Sequence, residues 1–276
     1  MRACLTIAGS DSGGGAGIQA DLKTFHANGV FGMSVLTAIT AQNTVEVTRA
    51  FDLPLDLVTA QLEAIFSDFD VAAVKTGMLG SRALVETVAG FLRGLEARGA
   101  LPPLVIDPVM VSKSGFALLQ RDAVVAVRRE LLPLARVVTP NHHEAQLLAE
   151  MEIRGRADAE LAGARILALG PGAVLLKGGH LDGPGLDPTR AVDFLFEPGG
   201  VSEFSSERIE TRATHGTGCT YSAAICAGLG RGLELRAAVE VAKRYVTGAI
   251  RHGLDLGHGH GPTHHFYFLD DPVRWH

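Results

Sequence analysis

Short apolar runs alternate along this chain with stretches of helical periodicity, and this alternation constrains the fold more than any other feature. The apolar runs are Cys4–Ala8, Val35–Ala41, Val71–Val74, Leu104–Ile106, Val137–Thr139 and Ala173–Leu176. Continuous apolar runs are typical of strands that are buried on both faces, as in parallel sheets. The order of elements therefore predicts an α/β fold, with a mostly parallel sheet between two layers of helices.

The intervening helices are marked by apolar residues at helical spacing. One helix follows Pro54, which suits a first turn, and another follows Ser81, a candidate N-cap. The helical stripes are Leu55, Val58, Leu62 and Ile65; Leu84, Val88, Phe91 and Leu95; Val124, Val127 and Leu131; and Leu235, Ala238, Ala242, Val246 and Ala249. By contrast, Ala191–Phe196 and Val201–Ser205 are typical of a hairpin. We expect a single three-layer α/β/α domain over residues 1–276, with a small antiparallel edge.

Composition narrows the classes of partner. The 25 Lys and Arg residues against 30 Asp and Glu residues give a net charge of −5, which disfavours a nucleic-acid or anionic membrane partner. We also expect no membrane span, which needs about 20 apolar residues in a row, and no signal peptide. Cys4, Cys219 and Cys226 form no CxxC pair, so we expect free thiols and a cytoplasmic location.

A glycine-rich segment, GSDSGGGAG at residues 9–17, follows the first apolar run and leads into a helix. It lacks the third glycine of the dinucleotide fingerprint, where Ile18 stands, and it lacks the lysine of a Walker loop. In an open α/β sheet, a loop at the carboxyl end of a strand lies where ligands bind. The segment is therefore either a ligand-contacting loop or a tight turn only.

A second glycine-rich segment, Thr214–Thr220, precedes an apolar helix. The amides of Gly216, Thr217 and Gly218 would lie at the positive end of the helix dipole, which favours a phosphate or a developing negative charge. Cys219 would lie at the same end, which predicts a lowered thiol pKa. The alternative is a glycine turn with an inert, buried cysteine.

Polar residues follow several of the other predicted strands. Asp107, Asn141 and Glu144 have side chains that suit Mg²⁺, which prefers oxygen ligands and substrate phosphates. Lys177 could meet a phosphate, and the Gln42 amide suits an uncharged heterocycle. The alternatives are helix caps or surface pairs for the acidic residues, a solvated lysine and a turn cap. The four C-terminal histidines, at 258, 260, 264 and 265, favour a loop that packs against the core over a metal site.

Together and in this order, these segments resemble the hydroxymethylpyrimidine/phosphomethylpyrimidine kinases of thiamine biosynthesis, within the ribokinase-like superfamily. The segments are residues 5–23, 40–44, 107–110, 139–141 with Glu144, 177–180 and 214–220. Two positions near the expected phosphate side depart from the family pattern. Phe116 stands where the family usually has Asp, and Ala213 stands where Asn is common.

The resemblance implies a ribokinase-like fold and a homodimer. It also implies ATP- and Mg²⁺-dependent phosphorylation of 4-amino-5-hydroxymethyl-2-methylpyrimidine, and then of its monophosphate. Cys219 matches the position of the catalytic base of the wider superfamily. The implied catalytic residues are Gly216, Thr217, Gly218, Cys219 and Lys177; the pyrimidine contacts are Gln42, Asp21, Ala16, Met78 and Val109; the nucleotide contacts are Lys177, Asn141, Thr217 and Gly218; and the metal ligands are Glu144, Asn141 and Asp107.

The sequence leaves two other functions open. Some relatives with the Gly-Thr-Gly-Cys turn phosphorylate pyridoxal, which is also a small aromatic heterocycle with a hydroxymethyl group. A non-catalytic, pyrimidine-binding regulatory module is the second alternative, although the chain has Lys177, Asn141, Glu144 and Cys219 together.

Overall fold

The centre of the protein is one mixed sheet. In the computed structural model, which describes residues 1–110, 121–179 and 181–269, the sheet has nine strands. They are β1 (Ala3–Asp11), β2 (Phe31–Gln42), β3 (Val47–Asp52), β4 (Val71–Thr76), β5 (Leu104–Ile106), β6 (Val137–Val138), β7 (Val174–Leu176), β8 (Arg190–Glu197) and β9 (Gly200–Glu207). Their order across the sheet is β3-β2-β1-β4-β5-β6-β7-β8-β9. Six neighbouring strands run parallel, namely β2, β1, β4, β5, β6 and β7. Antiparallel strands flank them, with β3 at one edge and β8 and β9 at the other.

Eight α-helices connect the strands in the described ranges. They are α1 (Gly17–Ala27), α2 (Leu55–Asp68), α3 (Arg82–Glu96), α4 (Arg121–Ala126), α5 (His142–Ala149), α6 (Arg156–Leu167), α7 (Thr217–Gly230) and α8 (Leu235–Arg251). After α4 the chain continues through a π-helical turn, Val127–Leu131, and a 3₁₀ turn, Leu132–Leu134. Pro133 has no amide donor, so a regular helix cannot continue through it. None of the helices in this part of the chain has the length and apolarity needed to span a membrane.

Two apolar cores lie on opposite faces of the sheet, which gives the three-layer arrangement predicted from the sequence. Leu5 and Ile7 of β1 pack in one core with Leu62 of α2. Cys4, the neighbour of Leu5 on β1, packs in the other core with Ile225 of α7. Successive side chains of a strand point to opposite faces, so β1 contributes to both cores and must be buried on both sides.

The antiparallel part of the sheet is larger than predicted. The hairpin is confirmed as β8 and β9, but β3 forms a second antiparallel edge beside β2 that the sequence pattern did not predict. Most side chains of β3 are exposed or half-buried, so the strand has no apolar alternation to reveal it. The short helices α5 and α6 were not predicted either.

Helix α7 is buried along nearly its whole length, from Thr220 to Gly230. Its small residues let it approach its neighbours closely: a Cβ on Gly230 would lie 2.5 Å from the Cys4 sulfur, and one on Gly228 would lie 2.9 Å from the Ala238 side chain. This packing between the sheet and α8 fixes the direction of α7. Its first turn is thereby held at the carboxyl ends of the parallel strands.

Candidate active site

The candidate site lies where the parallel strands end, as expected for ligand sites in open α/β sheets. Asp11 is the last residue of β1, Asp107 follows β5, and Lys177 follows β7. Asn141 pairs with Lys177 in a parallel bridge that extends β6 and β7. Four loops from different parts of the chain therefore meet at one edge of the sheet.

The loop after β1 is organised by the buried carboxylate of Asp11. Asp11 Oδ1 accepts a hydrogen bond from Gly13 N (2.8 Å), and Oδ2 accepts from Gly15 N (3.0 Å), Ala16 N (2.7 Å) and His215 Nε2 (2.9 Å). Burial alone would raise the pKa of Asp11, but the His215 and amide donors outweigh it and hold the pKa below its ordinary value. The loop therefore surrounds a stable negative charge.

Three of the predicted pyrimidine contacts lie around this loop. Ala16 is part of it, and Gln42 is held to it because Ser12 Oγ donates to Gln42 O (2.7 Å) and accepts from Gln42 N (2.9 Å). The Met78 sulfur lies beneath Gly9, where a Cβ would be 3.2 Å from it. Val109, the fourth contact, follows β5, two residues after Asp107, and is half-buried.

Asp21 corrects the prediction, because it is completely buried below the site. Its two carboxylate oxygens lie 2.6 and 2.7 Å from Lys75 Nζ, and Thr6 Oγ1 donates to Oδ2 (2.6 Å). Burial would lower the pKa of Lys75, but Asp21 raises it well above its ordinary value, so the pair is ionic. Asp21 therefore supports the floor of the site and has no surface with which to touch a ligand.

The first turn of α7 forms the opposite wall. Gly216 caps the helix with a φ of +77°, a left-handed conformation that favours glycine, and a Cβ there would overlap Gly15 O. Thr217, Gly218 and Cys219 follow as the first three helical residues, whose N–H groups have no acceptor within a helix. These amides and the helix dipole make a site suited to an anion.

A buried charge cluster borders this turn. Lys177 Nζ lies 2.9 Å from Asp107 Oδ1, and Ser222 Oγ donates to Asp107 Oδ2 (3.1 Å). Burial would raise the pKa of Asp107, but Lys177 and Lys75 hold it below its ordinary value. Burial would also lower the pKa of Lys177, but Asp107 and Glu144 hold it above its ordinary value. A Cβ on Gly218 would lie 3.3 Å from Lys177 Nζ, so a permanent positive charge stands beside the helix turn.

Asn141 and Glu144 form a capping box at the start of α5. Asn141 Oδ1 accepts from Glu144 N (3.0 Å), and Glu144 Oε2 accepts from Asn141 N (2.8 Å). The capping alternative is therefore present in the structure for Glu144, with Asn141 as the N-cap. Glu144 is nevertheless buried at the edge of the site, and burial raises its pKa to about 7 against the opposing effect of Lys177.

The described residues contain no group of three or more His, Cys, Asp and Glu side chains close enough to hold a metal ion. Two carboxylates, Asp107 and Glu144, do lie close enough to Lys177 to interact with its charge. This donor set fits a Mg²⁺ ion that keeps most of its ligands as water and phosphate oxygens, as Mg²⁺ commonly does. It does not fit a metal held by protein side chains alone.

Of the four C-terminal histidines, His265 packs against the core as predicted, whereas His258 and His260 are exposed. His265 is buried against α7, with its Nε2 3.1 Å from Thr220 Oγ1, and burial lowers its pKa to about 4. The loop that contains it reaches back to the strand ends, since His260 N donates to Thr44 O (2.9 Å).

Cys219 differs from its prediction in one respect. Its thiol accepts a hydrogen bond from Gly17 N, at the start of α1, so it lies at the beginning of two helices. Burial nevertheless raises its pKa to about 12, against the lowering effect of Lys75. The expected thiolate is therefore absent at neutral pH, because loss of solvation outweighs the helix dipole and the nearby ammonium group.

Several residues of the site were not singled out from the sequence, namely Lys75, His215 and Ser222. Lys75 carries a signal that could have been used, because a charged residue at the end of a buried strand must have a partner. His215 and Ser222 carry none, since their partners Asp11 and Asp107 are more than 100 residues away. Phe116 and His180 lie outside the described residues.

Comparison with known proteins shows the family of this chain. A family model for phosphomethylpyrimidine kinase matches residues 11–264. The chain belongs to the phosphomethylpyrimidine kinase family. A hydroxymethylpyrimidine/phosphomethylpyrimidine kinase of Rhizobium meliloti is 53% identical over 267 residues, covering 95% of this chain and 96% of the relative. The protein is thus a phosphotransferase, which does not favour the non-catalytic alternative.

Two solved structures extend the comparison to the fold. A phosphomethylpyrimidine kinase from Clostridium difficile matches with a TM-score of 0.77 and 43% identity, over 91% of this chain and all of that one. An ADP complex of a Bacillus subtilis pyridoxal kinase matches with a TM-score of 0.87 and 40% identity, over 97% of this chain and 98% of that one. The ribokinase-like fold is confirmed, and the fold is shared with kinases of both vitamin substrates.

Proposed function

We propose that this kinase transfers a phosphoryl group from ATP to 4-amino-5-hydroxymethyl-2-methylpyrimidine, and then a second one to the resulting monophosphate, in thiamine biosynthesis. The observation that carries the proposal is the 53% identity, over nearly the full length of both chains, to an enzyme named for these two substrates. The geometry supports it, because a heterocycle-binding wall and an anion-binding turn face each other at the strand ends.

The heterocycle is bound on the side of the loop after β1. The Gln42 amide offers a donor and an acceptor at once, which matches a ring nitrogen beside an exocyclic amine. Met78 and Val109 supply apolar surface, and the Ala16 backbone closes the wall. A polar match of this kind discriminates strongly, because an analogue without those groups leaves the amide unpaired.

The phosphoryl group is bound on the side of α7. Phosphoryl transfer has a loose transition state, so positioning and charge stabilisation provide most of the catalysis. The amides of Gly216, Thr217, Gly218 and Cys219 face the transferring group, and Lys177 adds a positive charge beside them. Lys177 and Asn141 also lie where the nucleotide phosphates would enter.

Asp107 and Glu144 would hold Mg²⁺, either directly or through water, with Asn141 next to them. When bound, the ion would neutralise the negative charge that develops on the phosphate oxygens. Glu144 must lose its proton to serve in this way, and its pKa of about 7 places that event near neutral pH.

Cys219 orients the hydroxymethyl group of the substrate. With a pKa of about 12 it is a thiol at neutral pH, so it is not a ready general base. Base catalysis is a modest contribution to a loose transition state, in which the attacking oxygen carries little new charge. The thiol therefore fixes the direction of the attacking oxygen, and the proton of that oxygen passes late in the transfer to an oxygen of the transferred phosphoryl group.

The homodimer implied by family resemblance would use the sheet edge formed by β2 and β3. Ile39 and Phe51 are direct cross-strand neighbours and are 50% and 62% exposed. Such a pair on an open edge strand is typical of an interface. The three free cysteines agree with a reducing, cytoplasmic setting.

The test is a product analysis with ATP, Mg²⁺ and the hydroxymethylpyrimidine, in which mono- and diphosphate are separated by chromatography. We expect both products, and a Gln42→Leu variant with a raised KM for the pyrimidine but an unchanged KM for ATP. Pyridoxal is assayed in parallel, because the Bacillus subtilis pyridoxal kinase shares the fold. A higher kcat/KM for pyridoxal, or monophosphate as the sole product, would overturn the proposal.

A further inference from the structure

His215 contacts three separate segments that line the site. Its side chain is buried, and Nε2 lies 2.9 Å from Asp11 Oδ2 in the loop after β1. The same nitrogen lies 3.4 Å from the Gln42 amide nitrogen at the end of β2. Its backbone N donates to Gly261 O (3.1 Å) in the C-terminal loop. The Cys219 thiol, which accepts from Gly17 N, is another side chain that joins the segment after β1 to the first turn of α7.

The two sides of the site depend on different elements. The heterocycle side is built by β1, β2 and their loops, and the phosphate side is built by α7 and β7. Glycines let the two backbones touch, since a Cβ on Gly15 would overlap the His215 ring and one on Gly216 would overlap Gly15 O. The ring of His215 therefore fills the space between the two walls and holds them by one charge-assisted hydrogen bond.

Asp11 is the partner that makes this contact informative. Its carboxylate already organises the loop through three amides, those of Gly13, Gly15 and Ala16. The histidine bond is a fourth contact, and it is the one that leaves the loop and reaches the turn before α7. It is not needed to fold the loop, so its contribution is the spacing between the loop and the turn.

We propose that His215 is a positioning residue for phosphoryl transfer. It sets the distance between the hydroxyl of the bound heterocycle and the phosphoryl group held at α7. This inference rests on the proposed function, because it concerns transfer to a heterocycle. Reacting atoms must be about 3–3.5 Å apart, and a misplacement of about 1 Å can cost 10²-fold in rate.

The test compares two substitutions at this position. His215→Leu fills the volume but removes the donor, whereas His215→Gln keeps an N–H group near the position of Nε2. His258→Ala is the matched control, since His258 is exposed and lies on the C-terminal loop that His215 contacts through Gly261. For each protein, kcat for transfer to the pyrimidine, the KM values and the rate of ATP hydrolysis to water are measured, together with Tm.

We expect His215→Leu to lower kcat for transfer by about 10²-fold while ATP hydrolysis and the KM for ATP stay unchanged, because water needs no heterocycle wall. His215→Gln should recover most of the loss. An Asp11→Asn/His215→Leu double variant should be no slower than the slower single variant, since both changes remove one contact.

Any of three results would overturn the inference and leave the proposed function standing. The first is a wild-type kcat for transfer in His215→Leu. The others are an equal fall in kcat for transfer, ATP hydrolysis rate and Tm in His215→Leu, and a kcat in His215→Gln that is no higher than in His215→Leu. A wild-type protein that transfers nothing to the pyrimidine would overturn the proposed function and this inference with it.

Discussion

At the residue scale, the reactivity of single groups depends on solvation more than on neighbouring dipoles. Cys219 lies at the start of two helices and near Lys75, yet burial raises the pKa of its thiol to about 12. Asp107 is buried more completely, but two ammonium groups keep its pKa low. Direct ionic contact can therefore reverse the effect of burial in this site, whereas more distant charges cannot.

We predict that Cys219→Ala lowers kcat for the first phosphorylation by about 10²-fold, because the attacking hydroxyl loses its orientation. Between pH 6 and 9, the pH profiles of kcat for the wild-type protein and for this variant should have the same inflections, since Cys219 is a thiol throughout that range. Steady-state kinetics with both proteins measures this. Cys226→Ala, in the buried part of α7, is the control. Near-wild-type kcat for Cys219→Ala would exclude the assigned role.

Glu144 predicts a pH dependence of stability. Its pKa is about 7 in the folded protein and 4.5 for an ordinary glutamate. The folded state therefore binds the Glu144 proton more tightly than the unfolded state does. The stability that this proton contributes is complete below pH 4.5 and is lost as the pH rises through 7. The loss is about 3 kcal/mol, at 1.4 kcal/mol per pKa unit.

Glu144→Gln should remove this loss, because the amide cannot ionise but can still accept from Asn141 N. The free energy of unfolding is measured with urea at pH 5 and at pH 8. From pH 5 to pH 8 the wild-type protein should lose about 3 kcal/mol of this free energy that the variant keeps. Glu63→Gln, on the exposed side of α2, should change nothing. The same slope in wild type and Glu144→Gln would contradict the prediction.

At the scale of elements, the turn before α7 shows how closely two segments approach at the site. Gly216 combines a φ of +77° with a position where any Cβ would overlap Gly15 O. Neither the turn nor the loop after β1 can move without disturbing the packing of α7 against the sheet. The backbone of this turn is therefore constrained from both sides.

Gly216→Ala should destabilise the protein by about 1–3 kcal/mol from the left-handed backbone alone, and should abolish most transfer because the amides at the start of α7 lose their direction. Thermal unfolding and kcat measure the two effects. Gly199→Ala is the control, because Gly199 lies between β8 and β9 with no atom within 4 Å of an added Cβ. Equal Tm and kcat in Gly216→Ala and wild type would refute this account.

At the scale of the whole molecule, the sheet is open at β3. The parallel strands are covered on both faces, but Ile39 and Phe51 leave an apolar pair on the solvent side of this edge. The opposite edge, β9, also exposes an apolar residue, Val201, at 52%. The two edges therefore offer a matched comparison.

We predict that Phe51→Glu converts a wild-type dimer into a monomer, because a buried, unpaired carboxylate in an apolar interface is costly. Val201→Glu should remain a dimer. Sedimentation velocity over a range of protein concentrations measures both. A monomeric wild type, or a dimeric Phe51→Glu variant, would contradict the assignment of the β2–β3 face.

The sequence alone was enough for the class of fold, the parallel strands and the loops that form the site. Those features have local signals: continuous apolar runs, a capping serine at 81 and two glycine-rich turns. The edge strand β3 and the short helices have weak local signals, and tertiary packing decides them. Family resemblance named the candidate ligand contacts, and Asp21 shows its limit, because a residue can belong to a motif and still lie below the site.

Three features were decided by the tertiary structure alone. They are the ionisation of Cys219 and Glu144, the Lys75–Asp21 pair, and the contact between His215 and Asp11. All of them join residues that are far apart in sequence, or depend on how much water reaches a group. Periodicity and turn chemistry report the backbone near one residue, whereas charge depends on everything packed around it. The sequence thus determined where the site would form, and the fold determined its electrostatics.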